Sequence, residues 1–239
     1  MRIPRVFVDL PLTVGQQVSL PRTARQHMER VLRLKPGHPV IAFNGQGGQF
    51  AAELCEGGEL RLLAFEPNDC ESPLPVRLIQ GISKGERMDV TLQKATELGV
   101  TRISPVTTRR CVVRLDEERA ERRLERWSSI LQSACEQCGR NRLPRLDEPA
   151  RLESVLNEPK GQAMRIVLAP EGAASLKALD RPAALEVLIG PEGGLSDEEI
   201  AMAINCGFTP IRMGPRILRT ETAGLALLAA AQTLWGDFT

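Results

Sequence analysis

The apolar run Leu185–Ile189 leads directly into Gly190-Pro191-Glu192-Gly193-Gly194, and Ser196 follows with Glu199 three residues on. That order reads as a buried strand, a tight loop and a helix opened by a capping box. In α/β proteins a glycine-rich loop after a parallel strand is where ligands sit. The helix begins Asp197, Glu198, Glu199, so a phosphate at its N-terminus would meet three carboxylates. Neither G-x-x-x-x-G-K-[ST] nor G-x-G-x-x-G occurs; Phe50 stands where the third glycine of Gly45-Gln46-Gly47 would fall. Nucleoside triphosphates and dinucleotides are disfavoured, and a ligand without phosphate, a cationic one included, is favoured. A purely structural turn would use the same glycines.

A second cluster follows the strand expected at Phe208–Met213. Gly214-Pro215 leads to Arg219-Thr220-Glu221-Thr222 at the head of a helix that is apolar on nearly every face, through Ala223, Leu225, Leu227, Leu228 and Leu234. Such a helix must be buried all round, in a core or at a subunit interface. Arg, Thr and Glu at its head suit a site, although helix capping by Thr220 would also account for them. A third segment, Cys135-x-x-Cys138, lacks the second ligand pair that zinc requires, and both histidines, His27 and His38, are distant in sequence. A fourth, Gln80 to Asp89 and on to Lys94 and Glu97-Leu98-Gly99, combines a strand end and two glycines with Lys84 and Arg87 at a helix start, where they could hold phosphates or simply face solvent. With no Tyr, two His and no G-x-S-x-G, serine-hydrolase chemistry is poorly supported, and proton abstraction would fall to Glu, Asp or Lys.

The elements that must carry these residues come in two rhythms. Up to residue 66 the chain reads as mostly β, with strands at Arg5–Asp9, Pro39–Phe43, Gln49–Cys55 and Glu59–Phe65, and a helix over Pro21–Leu34. The Pro-rich stretch at 67–75 marks a boundary, giving domains 1–72 and 73–239. Beyond it, strands at Val76–Gly81, Arg102–Val106, Arg165–Ala169, Leu185–Ile189 and Phe208–Met213 alternate with helices, notably Lys84–Leu98, Asp116–Gln137 and Thr220–Trp235. That alternation implies an α/β fold with a parallel, helix-covered sheet. The N-terminus has no signal-peptide pattern and no apolar run reaches a membrane-spanning length, so the expected location is the cytoplasm, away from membranes.

At 239 residues and net charge +1, the chain is neutral, but its 31 basic side chains include 26 Arg. Arginine pairs bidentately with phosphate and stacks on bases, so the bias suits nucleic acid. The charge is also uneven: residues 1–35 and 109–145 are basic, and the last third is acidic. Local basic patches on a neutral chain suggest a docking surface. Six Phe, two Trp and no Tyr are poor material for base stacking.

Together and in this order, ISKGERMDVTLQKATELGV, ACEQCGRNR, VLIGPEGGLSDEEI and MGPRILRTETAGLALL resemble the RsmE family of 16S ribosomal RNA (uracil-N3)-methyltransferases, of the SPOUT superfamily. The likeness extends to MRIPRVF and HMERVLRLKPG at the N-terminus. The resemblance implies a small PUA-like β-barrel domain that holds RNA, then a SPOUT domain with a C-terminal trefoil knot, which ordinary connection rules exclude. It implies a homodimer, S-adenosylmethionine as cofactor, no metal, and one uridine of the small ribosomal subunit as target. By resemblance the cofactor contacts Leu168, Ala169, Ile189, Gly190, Pro191, Glu192, Gly193, Met213, Gly214, Ile217, Leu218 and Thr222. Uridine N3 must lose its proton, to Glu221 or Glu136, while Arg219, Arg140 or Arg87 steadies the charge left on the base. RNA docking would use Arg2, Arg5, Arg22, Arg30, Arg33, Lys84, Arg87, Arg109, Arg110, Arg114 and Arg142. A methyltransferase acting on another RNA or base atom, and a non-catalytic RNA-binding factor, are the alternatives.

Overall fold

The computed structural model describes residues 3–111, 117–159 and 161–238. The chain divides into two compact units, Met1–Glu71 with Gln132–Leu143, and Ser72–Leu131 with Pro144–Thr239. The segment Gln132–Leu143, which the sequence reading placed in the second domain, groups with the first. Its polar side chains explain this: Arg140 pairs with Glu71, Asn141 Nδ2 donates to Asn68 O at 2.8 Å, and Arg142 Nε donates to Asp69 Oδ2 at 2.6 Å.

The first unit holds β1 (Arg5–Phe7), β2 (Gln17–Ser19), α1 (Arg22–Gln26), β3 (Pro39–Phe43), β4 (Gln49–Leu54) and β5 (Glu59–Glu66). They form one sheet in the order β1-β3-β4-β5-β2, antiparallel except for β1 beside β3. Along β4 every second residue is buried, the period of a half-covered strand. Two expectations change here. The three residues of β2 are too few to show a period. The helix expected over Pro21–Leu34 is only α1 and a π-helical turn, His27–Val31. Within that span only Met28 is buried, while Val31 is 66% exposed; one anchor does not hold a long amphipathic helix.

The second unit is built on β6 (Val76–Gly81), α2 (Glu86–Glu97), β7 (Arg102–Thr107), α3 (Glu117–Cys138), β8 (Arg145–Leu146), β9 (Ala150–Arg151), α4 (Leu152–Leu156), β10 (Met164–Leu168), β11 (Leu185–Ile189), α5 (Asp197–Asn205), β12 (Phe208–Ile211) and α6 (Thr220–Trp235). The last seven residues of α3 belong to the first unit. All pairings in the seven-stranded sheet are parallel, in the order β12-β10-β11-β6-β7-β8, with β9 also on β7. Every residue of β6 and β11 is buried, as an internal parallel strand covered on both faces requires. Pro210 is tolerated because β12 is an edge strand, and Pro105 falls in the gap between the partners of β7 in β8 and β9. The face of α6 carrying Gly224, Leu227, Leu228, Ala231 and Trp235 is buried. Its other face is only half-covered, with Leu234 42% exposed, so burial all round is not reached within one chain.

Candidate active site

Because β12, β10 and β11 are neighbours and parallel, their C-terminal ends lie side by side. The three loops that leave them therefore converge, and they line a cavity of about 580 Å³. That volume lies within the ordinary range of small-molecule sites. Its walls are apolar at Leu168, Ile189, Ile211, Met213 and Leu218, with backbone from Gly190–Leu195 and polar side chains from Arg219, Thr220 and Glu221.

The loop Gly190–Gly194 is folded tightly on itself. A Cβ on Gly190 would come within 2.8 Å of Leu195 N and 2.9 Å of the Gly194 carbonyl carbon. Neighbouring segments pin it. Glu192 Oε1 accepts from the Lys84 backbone N–H at 2.8 Å and from Arg87 Nη1 at 3.1 Å. Partial burial opposes the Glu192 charge, but backbone N–H groups and Arg87 outweigh it and hold the carboxyl below its ordinary range. Arg110 Nη1 donates to Gly193 O and Leu195 O, both at 3.2 Å. The capping box of α5 is formed: Glu199 N–H donates to Ser196 Oγ at 3.2 Å, and Glu199 Oε2 accepts from Ser196 N–H at 2.8 Å. Glu199 Oε1 also accepts from Arg109 N–H at 2.8 Å, so this buried carboxylate joins the loop after β7 to the start of α5.

At the head of α6, Thr220 Oγ1 donates to Gly190 O at 2.6 Å and accepts from Gln80 Nε2 at 3.0 Å. Next to it, Glu221 Oε2 is buried and has no hydrogen-bond partner among the described residues. An acceptor in that condition is available to a donor on a ligand.

Most of the expected cofactor residues come together here. Leu168, Ala169, Ile189, Gly190, Pro191, Glu192, Gly193, Met213, Gly214, Ile217 and Leu218 all line the cavity; Thr222 does not, and is exposed. Of the four expected catalytic residues, Arg219 and Glu221 line it. Glu136 and Arg140 do not: they lie in the first unit, where Glu136 Oε1 accepts from Phe7 N–H at 2.9 Å and buried Arg140 pairs with Glu71. The thiol of Cys135 is buried and its pKa is pushed up to about 12, so it stays protonated. Gln80 stands in the sequence as the first residue of the fourth segment, with no role of its own; the structure buries its amide completely near the end of β6.

The expected RNA contacts divide. Arg22, Arg30 and Arg33 are exposed on the first unit. Arg5 is half-buried, donating to Gln49 Oε1 at 2.6 Å and lying 5.0 Å from the Phe43 ring centre, and Arg142 is bonded to Asp69 and to Gln46 O. Lys84, Arg87, Arg109 and Arg110 are exposed on the second unit, the last three bonded as described or, for Arg109, also paired with Glu198 at 3.2 Å. Arg2 and Arg114 lie outside the described residues.

The apolar walls, close backbone and unpartnered carboxylate oxygen fit a small ligand with apolar surface and a hydrogen-bond donor. Known proteins point the same way. The RNA methyltransferase domain family matches residues 70–232. Ribosomal RNA small subunit methyltransferase E from Buchnera aphidicola (Schizaphis graminum) is 34% identical over 99% of this chain and 98% of its own length. That of Bacillus subtilis is 30% identical over 95% and 94%. Among solved structures, ribosomal RNA small subunit methyltransferase E from Neisseria gonorrhoeae bound to S-adenosyl methionine is 42% identical, with a TM-score of 0.92 and full coverage of both chains. Lpg2936 from Legionella pneumophila, in complex with the bound cofactor SAM, is 37% identical with a TM-score of 0.95, again over both whole chains. A full-length match to these relatives, together with a glycine-loop cavity of the right size and chemistry, means that this chain belongs to the ribosomal RNA small subunit methyltransferase E family.

Proposed function

We propose that the protein methylates N3 of one uridine in 16S ribosomal RNA, using S-adenosylmethionine held in the cavity at the ends of β10, β11 and β12. The observation that carries the reading is Glu221: it lines that cavity with a buried, unpartnered carboxylate oxygen. S-adenosylmethionine, when bound, supplies a methyl group made electrophilic by its sulfonium. Backbone of Ile189, Gly190, Met213, Ile217 and Leu218 would hold its adenine and ribose, and the apolar walls would exclude water. Glu221 takes the proton from uridine N3, because the nitrogen attacks only as its anion. Arg219, exposed at the same rim, steadies the negative charge that spreads onto the base oxygens. The loops supply much of the rate by fixing the nucleophile against the methyl group. Glu136 and Arg140, which line no part of this cavity, have no step in it.

The first unit is the RNA-docking domain, a PUA-like barrel, with exposed Arg22, Arg30 and Arg33 among its phosphate contacts. The second is a SPOUT domain whose C-terminal loops form a trefoil knot. The half-covered face of α6, with exposed Leu234, supports a homodimer. Among the described residues no helix is long and apolar enough to cross a membrane, in keeping with a cytoplasmic enzyme.

The test is methyl transfer from labelled S-adenosylmethionine to small ribosomal subunits that lack the modification, followed by nucleoside mass analysis. A 3-methyluridine product is expected. A different methylated nucleoside would favour the alternative of another base atom. Cofactor binding without transfer to subunits or naked rRNA would move the substrate to another RNA.

A further inference from the structure

The buried amide of Gln80 has no step in the chemistry above, yet it sits where two of the three cavity loops meet. Gln80 is completely buried near the end of β6, in register with Ile189, the last residue of β11. A buried amide costs free energy unless its polar atoms are bonded, so a leucine would serve the packing better. Its Nε2 donates to Gly81 O and to Thr220 Oγ1, both at 3.0 Å. Thr220 Oγ1 in turn lies 2.6 Å from Gly190 O. Both carbonyls can only accept, so the directions are set: the amide faces Gly81 and Thr220 with its NH₂ group, and the hydroxyl proton of Thr220 is committed to Gly190. Only the NH₂ group is bonded: Gln80 Oε1 lies against α6, 3.8 Å from where a Cβ on Gly224 would stand, buried and with no hydrogen-bond partner among the described residues.

We infer that Gln80 is a positioning residue: through Thr220 it ties the loop at Gly190 to the head of α6 and sets the cavity before the cofactor arrives. The inference rests on the reading of that cavity as the S-adenosylmethionine site. The relay joins β6, α6 and the loop after β11 at a single hydroxyl. Losing either partner leaves the Gly190 carbonyl without its partner or the hydroxyl without its orienting donor.

The experiment compares Gln80→Leu, Thr220→Val and Thr220→Ser with wild type by two readouts. One is amide hydrogen exchange of residues 190–195 and 220–224 in cofactor-free protein; the other is the Kd for S-adenosylmethionine by titration. For Gln80→Leu and Thr220→Val we expect exchange in 190–195 and the Kd each to rise about tenfold, the effect of one lost buried hydrogen bond. Thr220→Ser, which keeps the hydroxyl, is expected to restore both to within about twofold. If Gln80→Leu does not fold, the Thr220 pair carries the test. Wild-type exchange and affinity in Gln80→Leu and Thr220→Val would overturn the assignment while leaving the cofactor reading intact. A wild-type protein that does not bind S-adenosylmethionine would overturn both.

Discussion

At the scale of single residues, environment separates carboxylates that the sequence presents alike. Asp147 is half-sunk against three arginines. Burial opposes its charge, but hydrogen bonds from Ser104 and Arg102 and the charge of Arg77 outweigh it and hold its pKa below the ordinary value. Glu158 is held low chiefly by its hydrogen bonds to Arg77, at 2.8 and 3.1 Å. A carboxyl with a depressed folded pKa stabilises fully above its unfolded pKa and loses that contribution as pH falls through the folded value. Denaturant midpoints are therefore expected to hold from pH 7 to about 5 and fall steeply below about 4. Asp147→Asn should lower the midpoint at pH 7 and flatten the acid fall. Glu136 has the opposite sign: burial raises its pKa above the ordinary value, so its ionised form weighs against folding as pH rises past that value. Glu136→Gln keeps an oxygen for the Phe7 N–H and removes the buried charge. The expected outcome is an equal or higher midpoint at pH 7, with methyl transfer within about threefold of wild type, far from the loss that follows removal of a general base. A hundredfold slower transfer would return Glu136 to the chemistry.

At the scale of elements, the site is the product of strand order. Three loops meet only because β12, β10 and β11 are adjacent. The end of β6 comes close enough to matter as well: a Cβ on Gly81 would lie 2.5 Å from both Pro191 N and Pro191 Cδ. Those atoms are backbone and ring, so the loop itself must move. Gly81→Ala is expected to weaken S-adenosylmethionine binding at least tenfold, since ordinary contact distances forbid the wild-type loop path. Isothermal titration of the folded variant checks this. Much of this layer was legible in the sequence. Leu185–Ile189 and Thr220–Trp235 read with the bounds they have, because an unbroken apolar run and a long apolar helix give strong local signals. β2 was not legible, because three residues carry no period. Nor was the grouping of Gln132–Leu143 with the first unit, because Arg140, Asn141 and Arg142 act through partners some seventy residues away. A still longer separation hid the contact of Gln80, whose partner Thr220 is 140 residues on.

At the scale of the whole molecule, near-neutral charge and arginine-rich patches set how RNA is met. The sequence showed where arginines cluster but not which were already engaged: Arg5 and Arg142 are bonded within the first unit, whereas Arg22, Arg30 and Arg33 are exposed. Arg30→Ala is expected to lower the log–log salt slope of RNA binding by about 0.7–0.9 without changing the melting temperature. Arg142→Ala should instead lower the melting temperature, because it strips Asp69 and Gln46 O of their partner. Filter binding across a salt series and thermal melts distinguish the two. The central claim joins all three scales: the carboxylate at the head of α6 performs proton removal in a cavity that the sheet assembles. Its most direct test is single-turnover methyl transfer by wild type and Glu221→Gln at saturating labelled S-adenosylmethionine on unmodified small subunits. The account expects wild type to form 3-methyluridine and the variant to bind cofactor within about threefold but to react about a hundredfold or more slower, the size of a lost general base. Equal rates in the two proteins would contradict it.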